Sequence, residues 1–220
     1  ALSACLCALA AVTPATPTHD PTHSAYVKAH PGVEYGETAL ADVNGDGYLD
    51  FLTGAKDAER MLYWFEYKGP GEWERHVLGR NHPSDVGGAA LDVDGDGWVD
   101  HVTGGAWYRN TRARPPAPFE RYAFDESLAG VHDVRAGDLD GDGALDIVTM
   151  SDRNNVRWYR RGADPRQPWE RRDIGPSVHA GLALGDLDGD GDTDVVRSNL
   201  WFENVDGNGA RWVSHPVPFG

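Results

Sequence analysis

The chain has almost no cysteine: Cys5 and Cys7 are the two present, both within the first seven of 220 residues. A disulfide-stapled fold is therefore excluded for everything that follows them. Basic residues are also scarce, with 20 Lys and Arg against 35 Asp and Glu and a formal charge of −15. Such an acidic chain repels phosphate backbones and anionic headgroups, which argues against nucleic acid and anionic membranes as partners. Stretches with a 3.6-residue apolar period are few, so long amphipathic helices are not expected. No G-x-S-x-G, Walker or H-E-x-x-H motif occurs.

Glycine (27), proline (14) and tryptophan (8) are plentiful, and 40% of residues are apolar. That composition can bury a core and favours many short strands joined by turns. Leu2 to Val12 is an apolar run followed by small residues and proline. It is too short to span a bilayer and reads as the apolar centre of a secretory signal, over 1–15, with a Pro/Thr linker at 16–25. No transmembrane segment is expected, and the mature protein is expected outside the cytoplasm, secreted, periplasmic or at the cell surface. Leu2-Ser3-Ala4-Cys5 also resembles a lipobox, which would put a lipid anchor on Cys5, although the residues after Cys5 stay apolar.

From residue 26 to 220 the chain repeats itself. "DVNGDGYLD" (Asp42 to Asp50), "DVDGDGWVD" (Asp92 to Asp100), "DLDGDGALD" (Asp138 to Asp146) and "DLDGDGDTD" (Asp186 to Asp194) recur about every 48 residues. A small apolar stretch precedes each copy, and a strand-like run such as "IVTMS" follows it. Next comes an aromatic pair: Trp64-Phe65, Trp107-Tyr108, Trp158-Tyr159 or Trp201-Phe202. A last segment opens at Trp73, Phe119, Trp169 or Trp212. Each unit reads as four strands, A to D, with the Asp-rich loop between A and B. A lone four-stranded unit cannot bury both faces, so the units must stack as propeller blades, about 31–78, 82–124, 131–174 and 178–217. Regular tryptophans then belong between blades, with ligand stacking as the lesser reading.

Four aspartates within nine residues need a neutralising partner before the next strand can be buried. Side chains at loop positions 1, 3, 5 and 9 and the position 7 carbonyl can converge on one point. Oxygen-only ligands suit Ca²⁺, not zinc, and Mg²⁺ retains its waters too strongly. The expected ligands are Asp42, Asn44, Asp46, Tyr48 and Asp50; Asp92, Asp94, Asp96, Trp98 and Asp100; Asp138, Asp140, Asp142, Ala144 and Asp146; and Asp186, Asp188, Asp190, Asp192 and Asp194. Gly47, Gly97, Gly143 and Gly191 at position 6 are expected to take positive φ. Position 12 is Thr or Arg, not the bidentate Glu of an EF-hand, and the flanks are strands. A solvated acidic turn is the plainer alternative, strongest at the first loop because of Asn44.

On these residues the chain resembles the FG-GAP/VCBS repeat proteins, including the calcium-binding blades of the integrin α-subunit propeller. The resemblance covers about Tyr26 to Val217. It implies an all-β propeller with up to four Ca²⁺ ions on one face. Such propellers usually carry seven blades. "AYVKAH" (Ala25 to His30) reads as an extra strand D, so the expectation is a fragment of a larger ring, with a closed four-bladed ring as the alternative.

Two functions are open. One is a module that binds a glycan or an extracellular protein. The other, implied by bacterial relatives of this repeat type, is part of a carbohydrate lyase or sugar dehydratase. A catalytic site would lie where strand A starts, opposite the calcium loops. Tyr35, Glu37, Asp85, His132, Asp133 and His179 fall there, with His30 and His82 further out. Of these His132, Asp133, His179 and Asp85 are the catalytic candidates, as a second metal site or proton acceptors. Polar residues lining a wet channel are the alternative. Oligomeric state is not legible.

Overall fold

A computed structural model of the chain describes residues 35–56, 58–82, 86–113 and 118–218, with backbone alone at 35, 37 and 38. The signal and linker segments, the strand expected at Ala25 to His30, and His30 and Asp85 lie outside the described residues. Among the described residues sixteen strands form four antiparallel four-stranded sheets, each in simple chain order. Blade 1 holds β1 (Tyr35–Ala41), β2 (Asp50–Ala55), β3 (Leu62–Gly69) and β4 (Glu72–Gly79). Blade 2 holds β5 (Gly88–Leu91), β6 (Asp100–Thr103), β7 (Ala106–Arg109) and β8 (Glu120–Ala123). Blade 3 holds β9 (Val131–Gly137), β10 (Asp146–Ser151), β11 (Asn154–Arg160) and β12 (Glu170–Gly175). Blade 4 holds β13 (Leu182–Gly185), β14 (Asp194–Arg197), β15 (Leu200–Asn204) and β16 (Trp212–Pro216).

The Asp-rich loop joins the first two strands of every blade. The residue before its first Asp pairs with its ninth residue: Ala41 with Asp50, Leu91 with Asp100, Gly137 with Asp146 and Gly185 with Asp194. Each loop thus closes over the end of a strand pair whose second member is buried along its length in blades 2 and 3.

The aromatic pair explains how the blades stack. Neighbouring strand residues point to opposite faces. Trp64 therefore packs with Tyr108 and Phe119 of blade 2, Trp107 with Tyr159 and Trp169 of blade 3, and Trp158 with Phe202 and Val195 of blade 4. In every interface the tryptophan comes from one blade and the smaller ring from the next. The aromatic that opens the fourth strand joins the smaller ring's side, as Phe119 and Trp169 do. The indole N–H groups of Trp107 and Trp169 both donate to the Pro165 carbonyl, at 3.0 and 2.9 Å. Three inter-blade cores result among the described residues. The first strands pack side by side in chain order, β1 on β5, β5 on β9 and β9 on β13.

A second set of bonds ties each blade to the loop before it. The residue two positions after the tryptophan's partner ring reaches across: Asn110 Nδ2 donates to the Val43 carbonyl (3.0 Å), Arg161 Nη1 to Val93 (2.8 Å) and Asn204 Nδ2 to Leu139 (2.8 Å). All three acceptors are the second residue of an Asp-rich loop. Loop and neighbouring blade are therefore one mechanical unit.

Gly79 shows how closely the blades approach. A methyl there would lie 2.7 Å from Tyr108 Cε1 of the next blade, and Gly175 stands in the same relation to Phe202. Gly79→Ala should cost about 1–3 kcal/mol by overpacking, lowering the melting midpoint by roughly 2–4 °C per kcal/mol. Gly185→Ala, whose methyl meets open space, should melt close to the parent. Equal midpoints for the two variants would contradict this interface.

Candidate metal centres

Each loop is built by its first aspartate, which turns the chain by accepting backbone N–H groups. Asp42 accepts from Gly45 (2.7 Å), Asp46 (3.0 Å) and Gly47 (2.8 Å). Asp92 does the same with Gly95, Asp96 and Gly97. Asp138 accepts from Gly141 and Gly143, and Asp186 from Gly189 and Gly191. Position 6 has positive φ in all four loops, as expected. So has position 4, at Gly45, Gly95, Gly141 and Gly189, which the sequence reading passed over. Two left-handed residues in three are what bring successive carboxylates to one side.

The ninth residue locks the loop to the sheet. Asp50, Asp100, Asp146 and Asp194 are fully buried. One carboxylate oxygen of each accepts from the loop's second residue: Val43 (3.2 Å), Val93 (3.0 Å), Leu139 (3.1 Å) and Leu187 (2.9 Å). In blades 1, 2 and 4 the other oxygen accepts from the third strand or the residue after it: Tyr67, Asn110 and Asn204. Burial pushes the carboxyls of Asp100 and Asp146 up to about 7 despite these donors, and raises that of Asp50. A buried anion in that position calls for a nearby cation.

Three loops gather carboxylates tightly. One oxygen each from Asp92, Asp94 and Asp96, from Asp138, Asp140 and Asp146, and from Asp186, Asp188 and Asp194 lies within 4.8 Å of the others. Asp142 and Asp190 stand outside these groups. Loop 1 forms no such group among the described residues, because Asn44 occupies its third position; Asn44 Nδ2 donates to Asp46 (3.0 Å) and to Glu66 (2.8 Å). The fit to a hard cation can be judged at Asp94. Its side chain is about nine-tenths buried, yet Oδ1 has no hydrogen-bond partner. An oxygen left bare in a pocket of carboxylates is the donor that an oxygen-seeking ion requires.

The sequence reading also missed the residue that follows each aromatic pair, which in blades 1 to 3 bonds to the loop. In blades 2 and 3 it is arginine: Arg109 reaches Asp94 (2.5 Å) and Asp96 (3.0 Å), and Arg160 reaches Asp140 (2.5 Å) and Asp142 (3.0 Å). In blades 1 and 4 it is Glu66 and Glu203, paired with His76 (2.8 Å) and His215 (2.6 Å) of the adjacent strand. Burial raises the Glu66 carboxyl, but Lys68, His76 and Asn44 outweigh it and hold it below its usual range. The only signal was a charge reversal at one repeat position, W-Y-R against W-F-E.

At the opposite end of the sheets the catalytic candidates separate. His132 and His179 meet across the blade 3–4 junction, ring centroids 3.9 Å apart. Asp152, from the β10–β11 turn and not among the candidates, lies between them at 2.9 Å from each. Asp133 does not join this group. Its carboxylate accepts from Gly181 N–H (2.9 Å) and Arg135 (3.2 Å) and fastens blade 3 to the entry of blade 4. His82 is buried, its Nε2 3.0 Å from the Ala55 carbonyl. The Tyr35 and Glu37 side chains lie outside the description.

A model of the FG-GAP-like repeat matches residues 42–103 and 138–196. The chain belongs to the FG-GAP-like repeat family. Each match starts at the first Asp of a loop and runs past the following one, so all four loops fall inside matched regions. No curated protein matches the chain.

The role of the ninth carboxylate in these FG-GAP-like repeats can be tested without metal. Asp100→Ala leaves the buried Val93 and Asn110 N–H groups without acceptors, at about 1–3 kcal/mol each. The urea midpoint in excess EDTA should fall accordingly. An unchanged midpoint would mean that the loop is not held by this side chain.

Proposed function

We propose that the chain is an exported, calcium-stabilised β-propeller module that presents its loops to a glycan or an extracellular protein. The observation that carries this reading is the unpartnered, buried Asp94 Oδ1 among Asp92, Asp94 and Asp96. The ligands in each loop would be the side chains at positions 1, 3, 5 and 9 with the position 7 carbonyl, for up to four ions. Bound calcium would supply charge neutralisation and a bridge between the first two strands of a blade. Because blades hang on their neighbours' loops through Asn110, Arg161 and Asn204, stiffening a loop stiffens its attachment to the next blade. The apolar leader and Pro/Thr linker support export, and calcium outside cells is abundant enough to fill sites of modest affinity. Among the described residues no helix is long and apolar enough to cross a membrane. A chain carrying −15 formal charge is poorly suited to nucleic acid.

A second reading, part of a carbohydrate lyase or dehydratase, rests on the His132–His179 pair beside an open groove of about 470 Å³ that Asp152, Arg153 and Arg157 help to line. It requires unsaturated sugar products, absorbing in the ultraviolet, from a panel of uronic-acid polymers. None should form under the binding-module reading.

Thermal melts in about 2 mM CaCl₂ and in excess EDTA test the calcium reading, since a ligand at 100 times its Kd stabilises by about 2.7 kcal/mol per site. The midpoint should drop by ten degrees or more on chelation, at roughly 2–4 °C per kcal/mol. A cooperative transition indifferent to EDTA would remove calcium from the account. Arg109→Ala should tighten calcium binding at loop 2, because the guanidinium on Asp94 and Asp96 must yield to the ion. Calcium titrations that match the parent would show that it does not compete.

A further inference from the structure

The best-organised unassigned cluster lies on the face opposite the Asp-rich loops. His132 Nε2 and His179 Nδ1 each lie 2.9 Å from a different oxygen of Asp152. One donor atom from each of the three residues falls within 4.8 Å of the others. Around a tetrahedral ion with ligands at about 2.0–2.1 Å, neighbouring donors stand roughly 3.3 Å apart. Each His–Asp152 contact, at 2.9 Å, is within a few tenths of an ångström of that spacing, and the three donors all lie within 4.8 Å of one another. The other mixed cluster, Glu66, Glu74 and His76, differs in one respect: the Lys68 ammonium already occupies it, 2.6 Å from Glu66 and 3.3 Å from Glu74. Asp152 has no Lys or Arg partner among the described residues.

Three separate backbone segments carry the trio, and short bonds pin them to one another. Ser177 Oγ, from the segment that carries His179, lies 2.7 Å from the Ser151 carbonyl and 2.5 Å from that of Asn154, bracketing the turn that carries Asp152. That turn is tied back by Asp152 N–H donating to the Gly130 carbonyl (3.1 Å), just before β9. At the other end of the His179 segment, Gly181 N–H donates to Asp133, the neighbour of His132 on β9 (2.9 Å). Ser177 and Gly181 therefore fix His179 from both sides, against the carriers of the two other groups. Preorganisation of this kind is what a metal site needs from its support.

We propose that His132, Asp152 and His179 form a second metal site, independent of calcium, for a divalent first-row transition ion such as Zn²⁺. Two imidazoles and one carboxylate select such ions, whereas the all-oxygen loops favour calcium. Three protein donors leave at least one coordination position open. The exposure of His179 (side chain 73%) and the groove that Asp152 helps to line give water or a small ligand access to it.

The test is a titration of the full chain with Co²⁺ in saturating CaCl₂, read by visible d–d absorption, with Zn²⁺ calorimetry in the same buffer. One equivalent should bind with bands typical of four or five ligands, and Zn²⁺ should displace it. His179→Ala, at an exposed position, and the near-isosteric Asp152→Asn should weaken binding at least tenfold, on the scale of about 10–100-fold known for supporting residues alone. Both should keep the parent's melt in calcium. His215→Ala, at the separate pair with Glu203, should bind Co²⁺ like the parent. Absent bands, binding abolished by raising calcium, or affinity unchanged in both His179→Ala and Asp152→Asn would overturn the site.

Discussion

The fold depends on keeping a carboxylate buried at the start of the second strand of every blade. Asp50, Asp100, Asp146 and Asp194 sit where an apolar residue would be expected, and each oxygen that bonds a backbone N–H ties the loop to the sheet. A buried anion is costly unless it is hydrogen-bonded and electrically compensated. Backbone amides meet the first requirement at both oxygens of Asp50, Asp100 and Asp194 and at one oxygen of Asp146. The second is met unevenly, since burial lifts the Asp100 and Asp146 carboxyls to about 7. The Asp-rich loops are thus both the tightest joints in the blades and the places where charge is least settled.

That tension is resolved differently from blade to blade. Blades 2 and 3 supply a guanidinium from inside the fold, Arg109 or Arg160, while Glu66 and Glu203 stand at the same position in blades 1 and 4 and bond to a histidine that packs against tryptophan. The four loops are therefore not four copies of one site. Loops 2 and 3 carry a guanidinium among their carboxylates, whereas loop 4 has carboxylates crowded together, with the carboxyls of Asp188 and Asp192 raised by desolvation and by neighbouring aspartates.

Stacking follows a simple alternation. A Trp-[Phe/Tyr] pair on a strand necessarily sends one ring to each side of the sheet, and each interface pairs the larger ring of one blade with the smaller ring of the next. Among the described residues Phe65 stacks on Phe51 beside half-exposed Trp73, and Trp201 stacks on His215, each within its own blade. Inter-blade hydrogen bonds run from the same stretch of strand into the preceding loop. A single four-residue segment in blades 2 and 3, 107–110 and 158–161, thus controls contacts on both sides and the attachment to the Asp-rich loop.

Repetition made most of this legible from residues alone. Four Asp-rich copies at one spacing, each followed by an aromatic pair, specify four-stranded units and the position of their loops, because period-2 alternation and turn glycines are local properties. What sequence reasoning missed was non-local. Arg109 and Arg160 lie on the third strand and meet carboxylates of the loop 13 to 20 positions earlier. Asp152 joins His132 and His179 only because a turn of blade 3, its first strand and the entry to blade 4 end at one place. Asp133, one residue from His132, points instead to the Gly181 backbone, since successive side chains of a strand face opposite ways. Local chemistry decided the strands, the turns and the acidic loops; which charged groups meet was decided by the stacking of blades, where distance in space no longer follows distance along the chain.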